Sequence, residues 1–106
     1  MAKLPGSGEV DIGTAPVEVT RTVRLKNPCG LHARPCHAIV STAAEFQSEL
    51  RISCGDAEVN GRSILDLMTL CAPCHSELTL RGRGADAAAM IERVAGVIER
   101  GFDELE

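Results

Sequence analysis

Gly30–Pro35 reads GLHARP and lies where the hydrophobic pattern of the chain changes its period. Before this stretch, Val17, Val19, Val23 and Leu25 share one side of a two-residue repeat, which is typical of a half-buried strand. After it, apolar residues recur at spacings of three and four, which is typical of an amphipathic helix. The stretch therefore marks a strand-to-helix junction.

The same change of period recurs along the chain and predicts the remaining elements. Ser63, with Asp66 three positions later, resembles a capping box at the start of a short helix. The predicted order is a strand from Val17, a helix over about 33–45, strands over 50–54 and 57–59, a helix from Ile64 to Cys71 that Pro73 ends, a strand over 78–80 and a helix from about Asp86 whose last apolar position is Leu105. This βαββαβα order predicts an α+β fold of the open-faced β-sandwich kind, with three helices on one face of a four-stranded antiparallel sheet.

Length and composition indicate one small domain. The chain has 106 residues, and residues 1–15 are rich in Gly, Pro and small polar types. We expect a flexible N-terminal extension over 1–15 and a folded domain over 16–106. A domain of this size is expected to be a monomer.

The charge and residue content exclude several classes of partner. The net charge is −4 and the sequence has no block of basic residues, which argues against binding to nucleic acid. Phe46 and Phe102 are the two aromatic residues, too few for a base-stacking surface. No apolar run approaches the roughly 20 residues of a membrane span, so direct membrane insertion is not expected. No signal-peptide pattern opens the sequence, which predicts a cytoplasmic protein with reduced cysteines.

The GLHARP junction combines the features of a phosphate-binding site. A helix N-terminus offers unpaired N–H groups and a positive dipole end, so the backbone at Gly30 and Ala33 would surround a phosphate. His32 supplies an imidazole nucleophile, and Arg34 a guanidinium that binds phosphoryl oxygens in a fork. Pro35 in the first turn removes no helical hydrogen bond. The alternative is a histidine that only caps the helix beside an unrelated arginine.

Two stretches also carry a family resemblance. Gly30–Pro35 resembles the active-site signature of the HPr family, the histidine-containing phosphocarriers of the bacterial phosphoenolpyruvate-dependent sugar phosphotransferase system. Val59–Leu70, which reads VNGRSILDLMTL, is similar to the signature around the regulatory serine of that family. The resemblance covers about residues 17–106, and the predicted element order is also the order of that family.

The resemblance implies a function for three residues. His32 would accept a phosphoryl group from phosphorylated Enzyme I and pass it to a permease or regulatory acceptor domain, and Arg34 would stabilise the phosphate. Ser63 would be the target of an HPr kinase/phosphorylase, although the same serine is also a good N-cap without any regulation. Proteins of this family are stoichiometric carriers, so the chain is not expected to be an enzyme.

The second helix is expected to supply a docking surface. Ile64, Leu65 and Met68 are candidates for contact with Enzyme I and other partners, because a small aliphatic patch suits a transient interface. Among the apolar residues of this helix, Ile64 and Leu67 are expected to lie mainly in the core, whereas Leu65 and Met68 are expected to be exposed.

The five cysteines remain open between three interpretations. A zinc site would use Cys71 and Cys74 with His75 and either Cys29 or Cys36, although the second Cys-x-x-Cys pair of a zinc ribbon is absent. A redox module would join the same Cys-x-x-Cys pair in a disulfide. The third interpretation treats cysteine as a small apolar residue, as expected for Cys54. The string CAPCH also matches a c-type haem attachment site, which the lack of an export signal makes a poor interpretation. No cofactor is expected unless zinc is bound.

Overall fold

The computed structural model of the chain describes residues 17–103, and its elements follow the predicted order. The predicted flexible extension over 1–15, its boundary with the domain, and Leu105 lie outside these residues. The elements are β1 (Glu18–Arg24), α1 (Ala33–Ala43), β2 (Glu49–Cys54), β3 (Ala57–Asn60), α2 (Ile64–Met68), β4 (Glu77–Arg83), α3 (Ala87–Glu99) and a short 3-10 helix (Gly101–Asp103).

The four strands form one antiparallel sheet in the order β1-β4-β2-β3. Leu50 and Ile52 of β2 are at most 1% exposed, and the alternate residue Arg51 is exposed. β4 repeats this pattern, since Leu80 is fully buried and Arg81 is exposed. One face of the sheet is therefore apolar and covered, while the other is polar and open to solvent. The predicted open-faced β-sandwich is confirmed.

The helices bury apolar stripes against the covered face. The spacing of three and four that predicted α1 and α3 is the spacing of their buried side chains. α1 also packs against α2 and α3, which joins the three helices into one layer. The fully buried apolar residues of the helices are Cys36, Ile39, Ala43, Leu67, Ala87, Met90, Val94, Ala95 and Ile98.

Arg21 interrupts the apolar side of β1, and the structure supplies the reason. Its guanidinium contacts the carboxylate of Glu99 in α3 at 3.2 Å from both oxygens. The arginine therefore lies at the margin of the covered face, where its charge reaches a partner at the end of the helix.

The predicted C-terminal ends of the first two helices are wrong, each by two or three residues. α1 ends at Ala43 rather than 45, because the N–H groups of Glu45 and Phe46 donate to carbonyls only three residues back. α2 ends at Met68 rather than Cys71, and Pro73 lies too far along the chain to be the cause. Tight turns of the same kind follow Met68, and Cys71 then takes a left-handed φ of 50°. Helix ends of this kind are set by local hydrogen bonding that apolar spacing does not show.

The loop before β2 is held to the start of α3 by a carboxylate. Asp86 accepts hydrogen bonds from the N–H of Gln47 at 2.9 Å, from the N–H of Ser48 at 3.0 Å and from the Ser48 hydroxyl. These bonds, the Ser48 hydroxyl first, lower the pKa of the Asp86 carboxyl from its ordinary value. Arg62 donates to the Phe46 and Ser48 carbonyls of the same loop, each at 3.0 Å.

We predict that this carboxylate makes stability depend on acid pH. Because its pKa is lower in the folded state, its contribution is present above the unfolded pKa and is lost as pH falls through the folded value. In urea unfolding, Asp86→Ala should therefore be less stable than the parent chain at pH 7, and the difference should shrink toward pH 2. Asp56→Ala, in the exposed turn between β2 and β3, is the control. An Asp86→Ala difference that stays constant with pH would contradict the prediction.

Candidate functional site

His32 occupies the N-cap position of α1. Its backbone is extended, with φ −119° and ψ −170°, and its carbonyl accepts the first helical hydrogen bond, from the N–H of Cys36 at 3.0 Å. The half-buried imidazole makes no capping hydrogen bond to the helix. The interpretation of His32 as a simple side-chain cap is therefore not supported.

The first turn of α1 presents the groups that the sequence predicted for a phosphate. The N–H groups of Ala33 and Arg34 belong to the first turn, where an α-helix provides no carbonyl partner, and Pro35 has no N–H. Arg34 is exposed, whereas Pro35 and Cys36 are buried and fix the turn to the core. Next to His32 there is thus a positive helix end and an exposed guanidinium on a rigid base.

Gly30 brings the loop before His32 against the segment that follows α2. Its φ is +67°, a left-handed value that glycine adopts without strain. A Cβ at this position would lie 2.9 Å from Pro73 Cα and closer still to the Ala72 carbonyl oxygen. The N–H of Leu31 donates to that same oxygen at 2.9 Å. The close approach of two backbones therefore requires a glycine at this position.

More backbone hydrogen bonds join the same two segments. The N–H of Leu25 donates to the Ser76 carbonyl at 2.9 Å, and the N–H of His75 donates to the Leu25 carbonyl at 2.8 Å. Arg24 adds a bond from its guanidinium to the His75 carbonyl at 3.0 Å. The chain over 72–76 thus supports the loop that carries His32.

The cysteines near this loop do not form a common cluster. Cys29 and Cys71 are exposed, and Cys74 is half-buried with its Sγ 3.7 Å from the Lys26 carbonyl oxygen. Cys36 is fully buried in the core, and this burial raises the pKa of its thiol. A thiol buried in this way is a poor metal ligand, because ligation requires the thiolate, so the burial argues against Cys36 as a ligand.

The predicted zinc site is not assembled in the part of the chain that the structure describes. Within residues 17–103, no three His, Cys, Asp or Glu side chains group in a way that could hold a metal ion. All five cysteines are free thiols, so Cys71 and Cys74 are not joined in a disulfide either. Cys54 is half-buried and packs against the core, as expected for a small apolar residue. The redox module is not supported, and the sequence spacing of Cys71, Cys74 and His75 does not correspond to a built site.

α2 exposes the side chains that were predicted for docking. Leu65 is 77% exposed and Met68 is 40% exposed, whereas Leu67 is fully buried. Ile64 is half-buried and packs against the core. Its exposure is thus intermediate between that of a core residue and that of a docking residue, the two roles considered for it. Leu65 and Met68 form an exposed apolar patch, hereafter the α2 patch, on a helix that contacts α1.

Ser63 is the N-cap of α2, as expected. Its hydroxyl accepts a hydrogen bond from the N–H of Asp66 at 3.2 Å. The reciprocal bond of a capping box is absent, because the N–H of Ser63 donates instead to the Asn60 carbonyl at 3.2 Å. The predicted capping box is therefore only half formed.

The sequence patterns do not single out Asn27, a residue of the loop between β1 and α1. The residue is 2% exposed, and its side-chain amide donates to the Gly30 carbonyl at 2.6 Å. A buried amide leaves no trace in the apolar periodicity, so the pattern used to predict the elements does not identify it. No helix within residues 17–103 is long and apolar enough to cross a bilayer.

The comparisons of this chain with known proteins all indicate the same family. The family described as "PTS HPr component phosphorylation site" matches residues 19–100. The phosphocarrier protein HPr of Treponema pallidum is 36% identical over 86 residues, which cover 81% of this chain and 98% of that protein. The multiphosphoryl transfer protein of Vibrio cholerae is 34% identical over 88 residues, covering 80% of this chain and 22% of that longer protein. The crystal structure of HPr-C-His from Thermoanaerobacter tengcongensis matches with a TM-score of 0.79 at 32% identity, covering 83% of this chain and 99% of that chain.

We predict that Gly30→Ala destabilises the fold more than Gly55→Ala. Both glycines have positive φ, at +67° and +61°, so each alanine incurs a left-handed backbone cost of about 1–2 kcal/mol. A Cβ at Gly55 has no neighbour within 4 Å, whereas a Cβ at Gly30 overlaps Pro73. The overlap should add roughly 1–3 kcal/mol, measured as the free energy of unfolding in urea. Equal losses in the two variants would show that the backbone contact is not tight.

Proposed function

The chain belongs to the HPr family of phosphocarrier proteins, and we propose that His32 is the residue that carries its phosphoryl group. The observation that carries the proposal is the position of His32 at the N-terminus of α1, two residues before the exposed Arg34. A histidine and an arginine thus lie two residues apart at the positive end of one helix. This is the arrangement that phosphoryl transfer to an imidazole requires.

The chemistry at His32 is a nucleophilic displacement at phosphorus. A lone pair on a ring nitrogen forms the new N–P bond while the bond between phosphorus and the donor atom breaks, and the electron pair of that bond stays on the donor. The proton on the other ring nitrogen is then lost, and the donor atom takes up a proton, directly or through water. The transferred group carries negative charge, which the N–H groups of Ala33 and Arg34 and the positive end of α1 favour. The Arg34 guanidinium would bind two of its oxygens.

We propose that the donor is phosphorylated Enzyme I and that the acceptors are permease or regulatory domains of a phosphotransferase system. The match to one part of the Vibrio cholerae multiphosphoryl transfer protein supports partners of this class. The α2 patch, next to α1 in the helical layer, would dock them. The carrier would act in the cytoplasm as a monomer, stoichiometrically and not as an enzyme, and without a resident metal or other cofactor.

Ser63 is proposed as a second modification site for an HPr kinase/phosphorylase. Its hydroxyl lies half-buried at the start of α2, in the turn before Leu65 of the α2 patch. A phosphate there would place negative charge beside the apolar side chains that partners contact, and would weaken docking.

We predict that His32→Ala abolishes labelling and Arg34→Ala slows it. The test incubates the chain with phosphoenolpyruvate and Enzyme I and follows an acid-labile phosphoryl adduct by mass. Because a hydrogen bond to a charged group contributes about 1.5–3 kcal/mol, Arg34→Ala should reduce the transfer rate roughly 10- to 100-fold. Arg34→Lys keeps the charge without the forked geometry of the guanidinium. Its transfer rate should lie between the rates of the parent chain and Arg34→Ala. Labelling of His32→Ala would disprove the assignment.

We also predict that Leu65→Ala weakens docking and leaves the chemical step intact. Truncation removes apolar surface that burial in a complex would stabilise, and a loss of about 1–2 kcal/mol corresponds to a 5- to 30-fold higher KM for Enzyme I. The maximal rate should not change. Val17→Ala is the matched control, since Val17 is an apolar residue with 51% exposure at the end of β1 remote from the His32 loop. Equal KM values for Leu65→Ala and Val17→Ala would show that the α2 patch is not part of the interface with Enzyme I.

A further inference from the structure

Asn27 is a buried amide in the loop between β1 and α1. It is 2% exposed, whereas Pro28 and Cys29, which follow it, are exposed. Burial of an amide is unfavourable unless its polar atoms find partners. The bonds of Asn27 therefore indicate why the residue is buried.

Those bonds hold the peptide unit that precedes His32. The Asn27 Nδ2 atom donates to the Gly30 carbonyl oxygen at 2.6 Å, and the same oxygen accepts the N–H of His32 at 3.1 Å. At the other end of this peptide unit, the N–H of Leu31 donates to the Ala72 carbonyl at 2.9 Å. The Asn27 carbonyl also accepts the N–H of Gly30 at 3.1 Å. The peptide between Gly30 and Leu31 is thus fixed at both its oxygen and its nitrogen.

The second polar atom of the Asn27 amide, Oδ1, shows that burial of this side chain costs free energy. Asn27 Oδ1 is buried and accepts no hydrogen bond from the residues that the structure describes. If the Asn27 amide were rotated by 180°, Oδ1 would face the Gly30 carbonyl oxygen, and both atoms are acceptors. The amide therefore has one favourable orientation, in which Nδ2 donates to Gly30. Buried unpaired acceptors are rare in folded proteins because they destabilise them. Among the described residues, the Gly30 carbonyl is the partner that the structure gives to the Asn27 side chain.

We propose that Asn27 is a positioning residue for phosphoryl transfer at His32. Gly30 lacks a side chain that would restrict the rotation of its carbonyl, and the bond from Asn27 selects one orientation. The N–H of His32 donates to that carbonyl, so the orientation of the carbonyl also sets the orientation of the His32 backbone. The imidazole then meets the donor phosphorus in one geometry. Transfer between two oriented groups is sensitive to displacements below 1 Å. The inference rests on the proposed role of His32.

The test replaces Asn27 with leucine, which has a similar shape and removes both the donor and the unpaired acceptor. Single-turnover phosphorylation is measured against the concentration of phosphorylated Enzyme I. The maximal rate should fall about tenfold while KM stays unchanged, because the α2 patch is intact. Amide hydrogen exchange should become faster at Leu31 and His32. The urea midpoint should change little, because the unpaired acceptor leaves with the donor.

Two further variants separate positioning from a general loss of structure. Asn27→Asp keeps the shape, but its carboxylate has no N–H to donate, so the maximal rate at neutral pH should fall as it does for leucine. Thr42→Val is the matched control: it removes another buried donor, the Thr42 hydroxyl bonded to the Ala38 carbonyl at 2.8 Å in α1. Its transfer rate should equal that of the parent chain.

Each outcome decides the role of Asn27. A maximal rate within twofold of the parent chain in both Asn27 variants would overturn the inference, as would a loss confined to KM. A slower rate without faster exchange at Leu31 would also overturn it, because the route through the Gly30 carbonyl would then be wrong. A parent chain that accepts no phosphoryl group would overturn the proposed function as well. A labelled parent chain with unchanged variants overturns only the role of Asn27.

Discussion

The backbone contact between Gly30 and the Ala72–Pro73 segment is the constraint on which the site depends. At this point two chain segments distant in sequence approach so closely that no Cβ fits between them. The hydrogen bond from Leu31 to Ala72 and those between Leu25 and 75–76 extend the contact along both segments. The start of α1 is consequently fixed with respect to β4 and the end of α2, and His32 with it.

The first turn of α1 combines a buried base with an exposed side chain. Pro35 and Cys36 are buried within the first turn of α1, while Arg34 in the same turn is exposed. A helix anchored in this way cannot fray at its N-terminus without disturbing the core, so its N–H groups are already oriented before any phosphate arrives. Such preorganisation is what makes a positive helix end effective in group transfer. The buried thiol of Cys36 belongs to this base and not to the reactive surface.

The sequence was sufficient for the element order and for the junction at His32, because both depend on local periodicity and helix-terminus chemistry. It was insufficient wherever the answer depends on the direction of a side chain or on individual hydrogen bonds. The spacing of Cys71 and Cys74 satisfies a zinc knuckle, yet spacing does not orient side chains, and Cys36 turns into the core. The end of α2 depends on tight turns after Met68, and the burial of Asn27 depends on a neighbouring peptide. Neither leaves a periodic trace in the sequence.

The exposure of the α2 patch follows from the shortness of its helix. Five residues make less than two turns, so α2 buries only Leu67 completely, and Leu65 on the opposite side has no core to enter. The hydrogen bonds of Arg62 to the loop before β2 and the cap of Ser63 hold this short helix in place instead. Because α2 packs on α1, the patch and the end of α1 that carries His32 lie in one layer of the fold. A partner that docks on the patch would therefore approach His32 from the helical side and leave the charged open face of the sheet uncovered.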